Sequence, residues 1–265
     1  RGDVALLQSG LDWLQSKTGV PVLGVIPYIK NLQIEAEDSL NVSQSIKKQQ
    51  VLLKVAVILY PRASNFTDLD ALNLHPNIQV QFYKQFDEQC QADLIILPGS
   101  KSVRGDLSWL QQQGWADKIK QHLRYGGQVF AICGGYQMLG KCIDDPLGIE
   151  SAPGSSAGLG LLPIHTTLTA EKTLRNVRAQ LLPPSNSLST NAPSCEEKKD
   201  RYRELAGYEI HCGQTQIEKE HDCQALFKVT YQQDSYFDGW VDASGQIMGS
   251  YLHGCFDQLD WFEHL

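Results

Sequence analysis

The segment from Gln128 to Gly140 constrains the fold more than any other part of the sequence. It reads Gln-Val-Phe-Ala-Ile, then Cys133, two glycines and a short helical stretch. The first five residues are typical of a strand that is buried on both faces. Two glycines allow a turn too sharp for residues that carry a Cβ. The pattern therefore predicts a strand, a sharp turn and a helix, with Cys133 at the turn.

Cys133 is a candidate nucleophile at this turn. Its sulfur would project from the strand end over the free N–H groups of the next helix, and these groups favour a thiolate. The thiolate is the reactive form of cysteine. The alternative interpretation is a structural cysteine, because free cysteine is among the most buried residue types.

Alternating strands and helices precede this segment. Strands are predicted at 53–61, 78–83 and 92–100, and helices at 66–73 and 103–125. Strands too apolar to face water predict an α/β fold, a three-layer sandwich around a mostly parallel sheet. Ligands bind beyond the carboxyl ends of such strands, where Cys133 and the Pro98-Gly99-Ser100 turn both fall.

The two ends of the chain differ from this pattern. Residues 1–50 offer a helix and one buried strand, Val20 to Tyr28, which cannot form a core alone. We therefore expect 1–50 to be the C-terminal remnant of another domain with a linker, and 51–265 to be the main domain. Beyond Gly140 we expect extra antiparallel strands, including 158–167, 175–181, 207–217, 226–231 and 247–252.

The segment 183–200 is rich in Pro, Ser, Asn and charge, and predicts a mobile surface insertion.

Composition excludes several classes of function. A net charge of −7 argues against nucleic-acid binding, and no apolar run of about 18 residues predicts a membrane span. Seven cysteines without a C-x-x-C pair favour reduced thiols and a cytoplasmic protein. The spacing of His211, Cys212, His221 and Cys223 does not fit the usual zinc ligand pairs, so we expect no metal.

A thiolate nucleophile needs a base, usually a histidine. His253 ends an apolar strand and is followed by glycine, which repeats the placement of Cys133. His211 lies beside Tyr208 and Glu209, which could reach into a cleft. The pattern favours His253 and leaves His211 open.

When a nucleophile attacks a carbonyl carbon, the negative charge that forms on the carbonyl oxygen needs two N–H donors. We expect one from Gly134 and the second from the turn at Gly99 and Ser100. Gln137, one turn into the helix, is a candidate for binding a polar end of the substrate. Tyr136 and His211 are further substrate-binding candidates.

Four motifs resemble the glutamine amidotransferase domain of the cobyric acid synthase family. They are Cys133-Gly-Gly-Tyr-Gln-Met-Leu-Gly, Pro98-Gly-Ser-Lys-Ser-Val-Arg, Gly207-Tyr-Glu-Ile-His and Tyr251-Leu-His-Gly. Arg1-Gly-Asp, Leu23-Gly-Val-Ile-Pro-Tyr and Ala36-Glu-Asp-Ser-Leu resemble the end of that family's ATP-dependent, dethiobiotin-synthetase-like domain. The resemblance covers nearly the whole chain and is weakest across 183–200.

The resemblance implies a class I glutaminase fold, which is flavodoxin-like. Cys133 would attack the carboxamide of glutamine, releasing ammonia and leaving a glutamyl thioester, with His253 as the catalytic histidine. The ammonia would amidate carboxylates of adenosylcobyrinic acid a,c-diamide, a corrinoid, in the synthetase domain. No phosphate loop occurs in this sequence, so ATP and Mg are expected in that domain and no cofactor in this chain.

One departure concerns the third catalytic group. In the broader class I pattern the histidine is followed by Pro-Glu, whereas His253 is followed by Gly254-Cys255. The resemblance therefore implies a Cys-His dyad or an unidentified third group. The alternatives are a sister amidotransferase, acting on cobyrinic acid or on lipid-linked cell-wall precursors, and a non-catalytic module of the same fold.

Overall fold

The computed structural model describes residues 7–25, 50–182, 204–218 and 222–257. The chain divides into two units, Arg1–Glu35 and Ala36–Leu265. In the first unit, helix α1 (Gln8–Thr18) ends at Gly19, whose φ of 68° is left-handed. The predicted boundary after residue 50 stays a prediction.

The strand predicted from Val20 to Tyr28 is wrong over the described residues 20–25, which form no strand. Val20 and Leu23 are exposed there. An apolar run becomes a strand only when a neighbour accepts its backbone hydrogen bonds, and residues 20–25 pair with no described strand. Residues 26–28 lie outside the described residues.

The second unit alternates strands and helices before residue 140 and is rich in strands after it. The strands are β1 (Leu53–Ile58), β2 (Ala63–Ser64), β3 (Ile78–Tyr83), β4 (Leu94–Leu97), β5 (Gly99–Ser100), β6 (Gln128–Ile132), β7 (Cys142–Asp145), β8 (Gly154–Ala157), β9 (Ile164–Leu181), β10 (Glu204–Ile217), β11 (Gln224–Tyr231), β12 (Asp234–Val241) and β13 (Ile247–Ser250). The helices are α2 (Asp70–Leu74), α3 (Val103–Gln112), α4 (Trp115–Arg124) and α5 (Gly134–Leu139), with a 3₁₀ turn at Phe66–Leu69.

Within the described residues, 11 strands form one sheet in the order β3-β1-β4-β6-β13-β12-β11-β9-β7-β8, with β10 paired to β9. The pairings from β3 to β13 are parallel. Those from β13 through β12 and β11 to β9 are antiparallel. The predicted α/β class, with extra antiparallel strands in the C-terminal half, is confirmed.

The core lies along the parallel strands. All four residues of β4 are buried, and so are the last four of β6, which explains their unbroken apolar composition. Helix α2 packs on β3, α4 on β6, and α5 on β6 and β13. The carboxyl ends of β4, β6 and β13 meet at one edge of the sheet, and the turns that follow them build the site described below.

Strand β9 differs from the prediction of separate strands at 158–167 and 175–181, because it runs unbroken over 18 residues. Its antiparallel partner β10 supplies backbone hydrogen bonds on both sides of the polar residues between them. The register shifts between His211 and Gly213, so that residues 169–172 stand opposite Cys212. Such bulges re-aim side chains beside functional sites. The predicted insertion at 183–200 lies outside the described residues.

Candidate active site

Cys133 joins β6 to α5 in a conformation that is rare for a residue with a side chain, with φ 52° and ψ −108°. A positive φ in a residue other than glycine costs on the order of 1–3 kcal/mol and persists only where the surroundings enforce it. The Cys133 N–H donates to the carbonyl of Ser250 at 2.8 Å, which ties the turn to the end of β13. The strained turn predicted from the sequence is present.

The two glycines after Cys133 are required by close backbone contacts. A Cβ on Gly135 would lie 2.2 Å from the carbonyl oxygen of Leu97, at the end of β4. A Cβ on Gly134 would lie 2.8 Å from the backbone nitrogen of Ser100. Helix α5 therefore starts against the turn that follows β4, and larger residues would push it away.

His253 is completely buried and bonded to a carboxylate that the sequence analysis did not identify. Its Nδ1 lies 2.7 Å from Oδ2 of Asp68, in the 3₁₀ turn Phe66–Leu69. Oδ1 of Asp68 accepts the N–H of Gly254 at 2.8 Å. Burial alone would lower the pKa of His253, but the charge and hydrogen bond of Asp68 and the neighbouring Cys133 raise it well above its ordinary value.

One face of the His253 ring is also packed against another aromatic ring. The Tyr208 ring stacks on it, with centroids 4.9 Å apart and planes 12° apart. The two residues exchange backbone hydrogen bonds of 2.9 and 3.2 Å. The Tyr208 hydroxyl accepts a hydrogen bond from Asn65 Nδ2 at 3.1 Å. Both the plane and the backbone of His253 are therefore fixed.

The hydrogen bond to Asp68 determines which nitrogen of His253 faces the thiol. Because Nδ1 donates its proton to Asp68, Nε2 is the nitrogen that can accept one. Nε2 has no hydrogen-bond partner among the described residues. The thiol of Cys133 donates instead to the carbonyl of Ile210 at 3.4 Å. The resting geometry thus keeps the thiol next to the imidazole with its proton directed to a backbone carbonyl.

In the turn after β4, the backbone N–H of Ser100 does not bond to the neighbouring strand β2. Lys101 N–H donates to the Arg62 carbonyl at 2.9 Å, so these two residues form a hydrogen-bonded pair. Hydrogen-bonded and non-hydrogen-bonded pairs alternate along an antiparallel ladder. The adjoining pair of Ala63 and Ser100 is therefore non-hydrogen-bonded, and the N–H of Ser100 points away from β2.

Among the predicted oxyanion donors, Ser100 and Gly134 lie together, as the short distance between their backbones shows. Gly99 pairs with Ser64 in the ladder between β5 and β2. A Cβ on Gly99 would lie 3.3 Å from the Ser64 carbonyl oxygen, so glycine serves the close approach of these strands. The oxyanion role of all three residues stays a prediction.

Asp106, which the sequence analysis did not identify, holds this turn in place. Its Oδ2 accepts the hydroxyl of Ser100 at 2.6 Å, and its Oδ1 accepts the N–H of Arg62 at 3.1 Å. The Ser100 hydroxyl in turn accepts the N–H of Ser102 at 3.0 Å. Burial raises the pKa of Asp106, and these hydrogen bonds lower it in part.

A cavity of about 390 Å³ adjoins Cys133. This volume lies within the range of about 300–1,000 Å³ that is usual for small-molecule sites. The predicted site residues on its wall are Ser100, Cys133, Gly134, Gln137 and His211. Tyr136 is buried and packs edge-on against Tyr251 in the core, so the structure places it behind this wall. Its substrate role stays an untested prediction.

Gln137 and His211 both line the cavity and both contact Tyr251. Gln137 Nε2 donates to the Tyr251 hydroxyl at 3.0 Å, and the His211 ring stacks on Tyr251 with centroids 3.8 Å apart. His211 Nδ1 lies 2.8 Å from the carbonyl of Gly213. Burial lowers the pKa of His211, which favours its neutral form.

The Asp68–His253 contact joins residues 185 positions apart, so no local sequence pattern could reveal it. One indirect signal was present: the Pro-Glu that follows the histidine elsewhere in class I is replaced by Gly254-Cys255. Proline has no N–H, whereas Gly254 donates one to Asp68. Compared with Pro-Glu, the pair Gly254-Cys255 therefore lacks the glutamate carboxylate but adds an N–H that donates to the carboxylate of Asp68.

The described parts of the chain contain neither a group of metal-ligand side chains nor a helix that could span a membrane. In those parts no three or more His, Cys, Asp or Glu side chains come together as a metal site would require. His221, one of the four residues considered for zinc, lies outside them. No described helix is long and apolar enough to cross a membrane.

Two curated relatives are cobyric acid synthases, from Vibrio parahaemolyticus serotype O3:K6 (strain RIMD 2210633) and Vibrio campbellii (strain ATCC BAA-1116). Each is 46% identical over 260 residues, which is 98% of this chain and 49% or 50% of the relative. The chain thus spans about half the length of the curated relatives it matches.

Two solved structures share the fold at low sequence identity. PurLQS from Thermotoga maritima matches with a TM-score of 0.56 and 18% identity, over 80% of this chain and 96% of that one. A glutamine amidotransferase matches with a TM-score of 0.50 and 16% identity, over 75% and 89%. Residues 54–261 match the family described as the CobB/CobQ-like glutamine amidotransferase domain. That match covers most of the chain, and the chain belongs to this family of glutamine amidotransferase domains.

Proposed function

We propose that the chain hydrolyses glutamine to glutamate and ammonia through a thioester on Cys133. The observation that carries this proposal is the strained Cys133 beside His253, whose other nitrogen is bonded to the buried Asp68. A nucleophile, a base and a group that orients the base are the three parts of such a mechanism.

In the first half of the reaction, Sγ of Cys133 attacks the carboxamide carbon and its proton passes to Nε2 of His253. The carbonyl oxygen becomes an oxyanion, which the N–H groups of Gly134 and Ser100 stabilise. His253 then gives the proton to the amide nitrogen. The C–N bond breaks, ammonia leaves, and a glutamyl thioester remains on Cys133.

In the second half, His253 takes a proton from water, and the hydroxide attacks the thioester carbon. The C–S bond breaks, the proton returns to the sulfur of Cys133, and glutamate leaves. Asp68 holds the Nδ1–H tautomer and stabilises the imidazolium that forms in each half. The Cys-His dyad suggested by the sequence therefore becomes a triad whose carboxylate precedes the cysteine in the chain.

The test labels the nucleophile in the 265-residue chain. A diazo-ketone analogue of glutamine should alkylate Cys133, as mass spectrometry of the peptides would reveal. Cys133→Ser should lower glutaminase activity about 10³-fold or more, since removal of a nucleophile has effects of at least this size. Cys142→Ser is the matched control, because Cys142 is not among the residues lining the cavity and should leave activity unchanged. Unchanged hydrolysis in Cys133→Ser would refute the proposal.

We further infer that the ammonia serves the amidation of adenosylcobyrinic acid a,c-diamide, as in cobyric acid synthase. The support is the 46% identity over 98% of the chain. In this proposal ATP and Mg bind in a synthetase domain, which would correspond to the half of the curated relatives that this chain does not match. A cobyrinic acid or cell-wall precursor acceptor is the alternative.

A chimera tests whether the ammonia released by this chain can serve such an amidation. The chain would replace the matching half of the Vibrio parahaemolyticus relative, and amidation of each acceptor would be measured with glutamine or with ammonium chloride as nitrogen source. We expect Cys133→Ser in the chimera to lose only the glutamine-dependent reaction. A chimera that uses ammonium chloride but never glutamine would instead indicate a non-catalytic module.

A further inference from the structure

Asn65 has a backbone conformation that is uncommon for a residue with a side chain. Its φ of 58° and ψ of 48° are left-handed, a region that asparagine tolerates better than most residues. Among the described residues other than glycine, only Cys133 and Gln232 also have a positive φ. Gln232 lies in the exposed turn between β11 and β12, where hairpins often require one. Asn65 is instead buried beside Cys133, and strain at such a place is a sign of function.

This left-handed residue stands where the chain passes between the two halves of the site. Directly before Asn65, β2 pairs with β5, which carries Ser100. Directly after it, the 3₁₀ turn Phe66–Leu69 begins, and the N–H of Asp68 donates to the Asn65 carbonyl at 3.2 Å. The Asp68 carboxylate is in turn bonded to Nδ1 of His253. The conformation of Asn65 therefore determines where the turn that carries Asp68 lies relative to β2.

The side chain of Asn65 makes a second connection to His253. Its Nδ2 donates to the hydroxyl of Tyr208 at 3.1 Å, and the Tyr208 ring stacks on His253 with a centroid distance of 4.9 Å. Oδ1 of Asn65 lies near the other half of the site, since a Cβ on Gly99 would be 3.6 Å from it. The amide therefore lies between the turn after β4 and the ring that packs on the base.

We infer that Asn65 is a positioning residue for His253. Its left-handed backbone directs the turn that carries Asp68, and its amide holds the ring of Tyr208 against the imidazole. The inference rests on the proposed hydrolysis of glutamine, in which His253 accepts the thiol proton. It assigns Asn65 no contact with the substrate, so changes at this residue should lower kcat and leave KM unchanged.

A double-mutant cycle tests the side-chain connection. Asn65→Gly keeps the left-handed backbone, which glycine adopts freely, and removes the amide. Tyr208→Phe keeps the stacked ring and removes the hydroxyl. Each change should lower kcat about 2- to 10-fold, the size expected for one lost hydrogen bond. The double variant should lose no more than either single variant, because both changes remove the same hydrogen bond.

Two results of this cycle would overturn the side-chain connection. Losses of kcat that multiply in the double variant would show that Asn65 and Tyr208 act independently. A raised KM in Asn65→Gly at unchanged kcat would show that the amide contacts the substrate and does not position the base.

Asn65→Val tests the backbone connection, because a β-branched residue is a strong outlier at positive φ. It should lower kcat about 10²-fold, well beyond Asn65→Gly, since the turn that carries Asp68 has to shift. Circular dichroism checks that each assayed variant is folded. Should Asn65→Val fail to fold, Asn65→Ala replaces it, because a Cβ without branching strains the same conformation less. A kcat equal to that of Asn65→Gly would overturn the backbone connection.

Gln232 offers a matched control far from these contacts in the sequence. Its φ is 55°, and its amide donates to a tyrosine hydroxyl, that of Tyr231, at 3.2 Å. Gln232→Gly and Gln232→Val therefore make the same backbone and side-chain changes on an exposed turn. Both should leave kcat unchanged. A loss of kcat in Gln232→Val as large as that in Asn65→Val would show that strain acts only through overall stability, against the inference.

Proton NMR reads the Asp68–His253 contact without turnover. A proton held between a buried imidazole nitrogen and a carboxylate resonates far downfield and exchanges slowly with water. Wild type and Asn65→Gly should show this resonance, His253→Gln should lack it and so assign it, and Asn65→Val should lose or shift it. A wild type without the resonance, or no change in Asn65→Val, would overturn the backbone connection. If the resonance responds but the wild type hydrolyses no glutamine, the positioning stands and the proposed hydrolysis fails.

Discussion

His253 and His211, the two histidines of the site, have opposite electrostatic surroundings. His253 is bonded to the carboxylate of Asp68, and its pKa is raised well above the ordinary value. His211 is bonded to the carbonyl of Gly213, and burial lowers its pKa. Both rings stack on a tyrosine, Tyr208 for His253 and Tyr251 for His211.

Burial and stacking on a tyrosine do not by themselves make a histidine a general base. His253 is fully buried and His211 is partly buried, and of these two only His253 has a carboxylate hydrogen-bonded to its ring. Burial lowers the pKa of His211 and outweighs the Gly213 carbonyl and the charge of Glu209, which raise it. His253 therefore suits proton transfer, whereas His211 suits the recognition of a polar group.

Replacing each histidine by glutamine should show the largest difference between the two residues. His253→Gln should lower kcat for glutamine hydrolysis by about 10⁴-fold or more, since the thiol proton then has no acceptor. His211→Gln, the matched change at the second histidine, should keep kcat within about tenfold and mainly raise KM. Steady-state kinetics of both variants decide it, and equal losses of kcat would contradict the assignment of the base.

Removing the charge on Asp68 should lower the pKa of His253, so that its electrostatic surroundings resemble those of His211. Asp68→Asn should lower kcat about 10²- to 10⁴-fold, because the amide cannot stabilise the imidazolium. The ionisation of His253 in the pH profile of kcat/KM should move to lower pH. Asp117→Asn, on the exposed face of α4, is the control. A profile that does not move would show that Asp68 is not the group that raises the pKa of His253.

The same variant has a consequence for stability. Because the pKa of His253 is raised in the folded state, its contribution is complete below the unfolded value of about 6.5 and is lost as pH rises through the folded value. The free energy of unfolding of the wild type should therefore exceed that of Asp68→Asn most clearly at the acidic end of this window. Urea titrations at several pH values measure it.

Asp238 provides the contrasting case of a buried carboxylate without a cationic partner among its described contacts. It accepts the hydroxyl of Ser250 at 2.5 Å and the N–H of Tyr251 at 2.9 Å. Burial raises its pKa from 3.8 to about 6, despite the hydrogen bond from Ser250. Relative to Asp238→Asn, the wild-type free energy of unfolding should rise as pH falls from about 7 to 4, by on the order of 3 kcal/mol. A flat difference in urea titrations would contradict this assignment.

Gly254→Ala should have the smallest effect and separates the Asp68 contact from backbone strain. Gly254 and Gly245 both have a φ of 76°, and a Cβ on Gly245 would contact nothing within 4 Å. Alanine at either position should cost about 1–2 kcal/mol of folding free energy, because both become left-handed residues with a Cβ. Alanine keeps the N–H, but strain at position 254 should move this donor away from Asp68, so only Gly254→Ala should also lower kcat, by a few-fold. Equal activity of the two variants would show that strain at this position does not disturb Asp68.

The fold was predictable where local pattern and burial agree. The apolar runs of β1, β4 and β6 reflect burial on both faces, and the turn at Cys133 follows from two glycines that contact the end of β4. The predicted strand is wrong over residues 20–25, and the prediction divided β9 into two strands. In both places the outcome depends on whether a neighbouring strand is present, which the residues of the strand itself do not encode.

The sequence by itself determined where the nucleophile sits and which histidine ends a strand beside it, because strand periodicity and glycine turns are local properties. Tertiary structure alone decided which carboxylate raises the pKa of His253, since Asp68 and His253 are 185 positions apart. It also decided which charged side chains line the cavity, because Lys101, Glu150 and Lys172 come from three separate segments of the chain. Contacts between distant segments follow from packing of the whole sheet, and no local pattern records them.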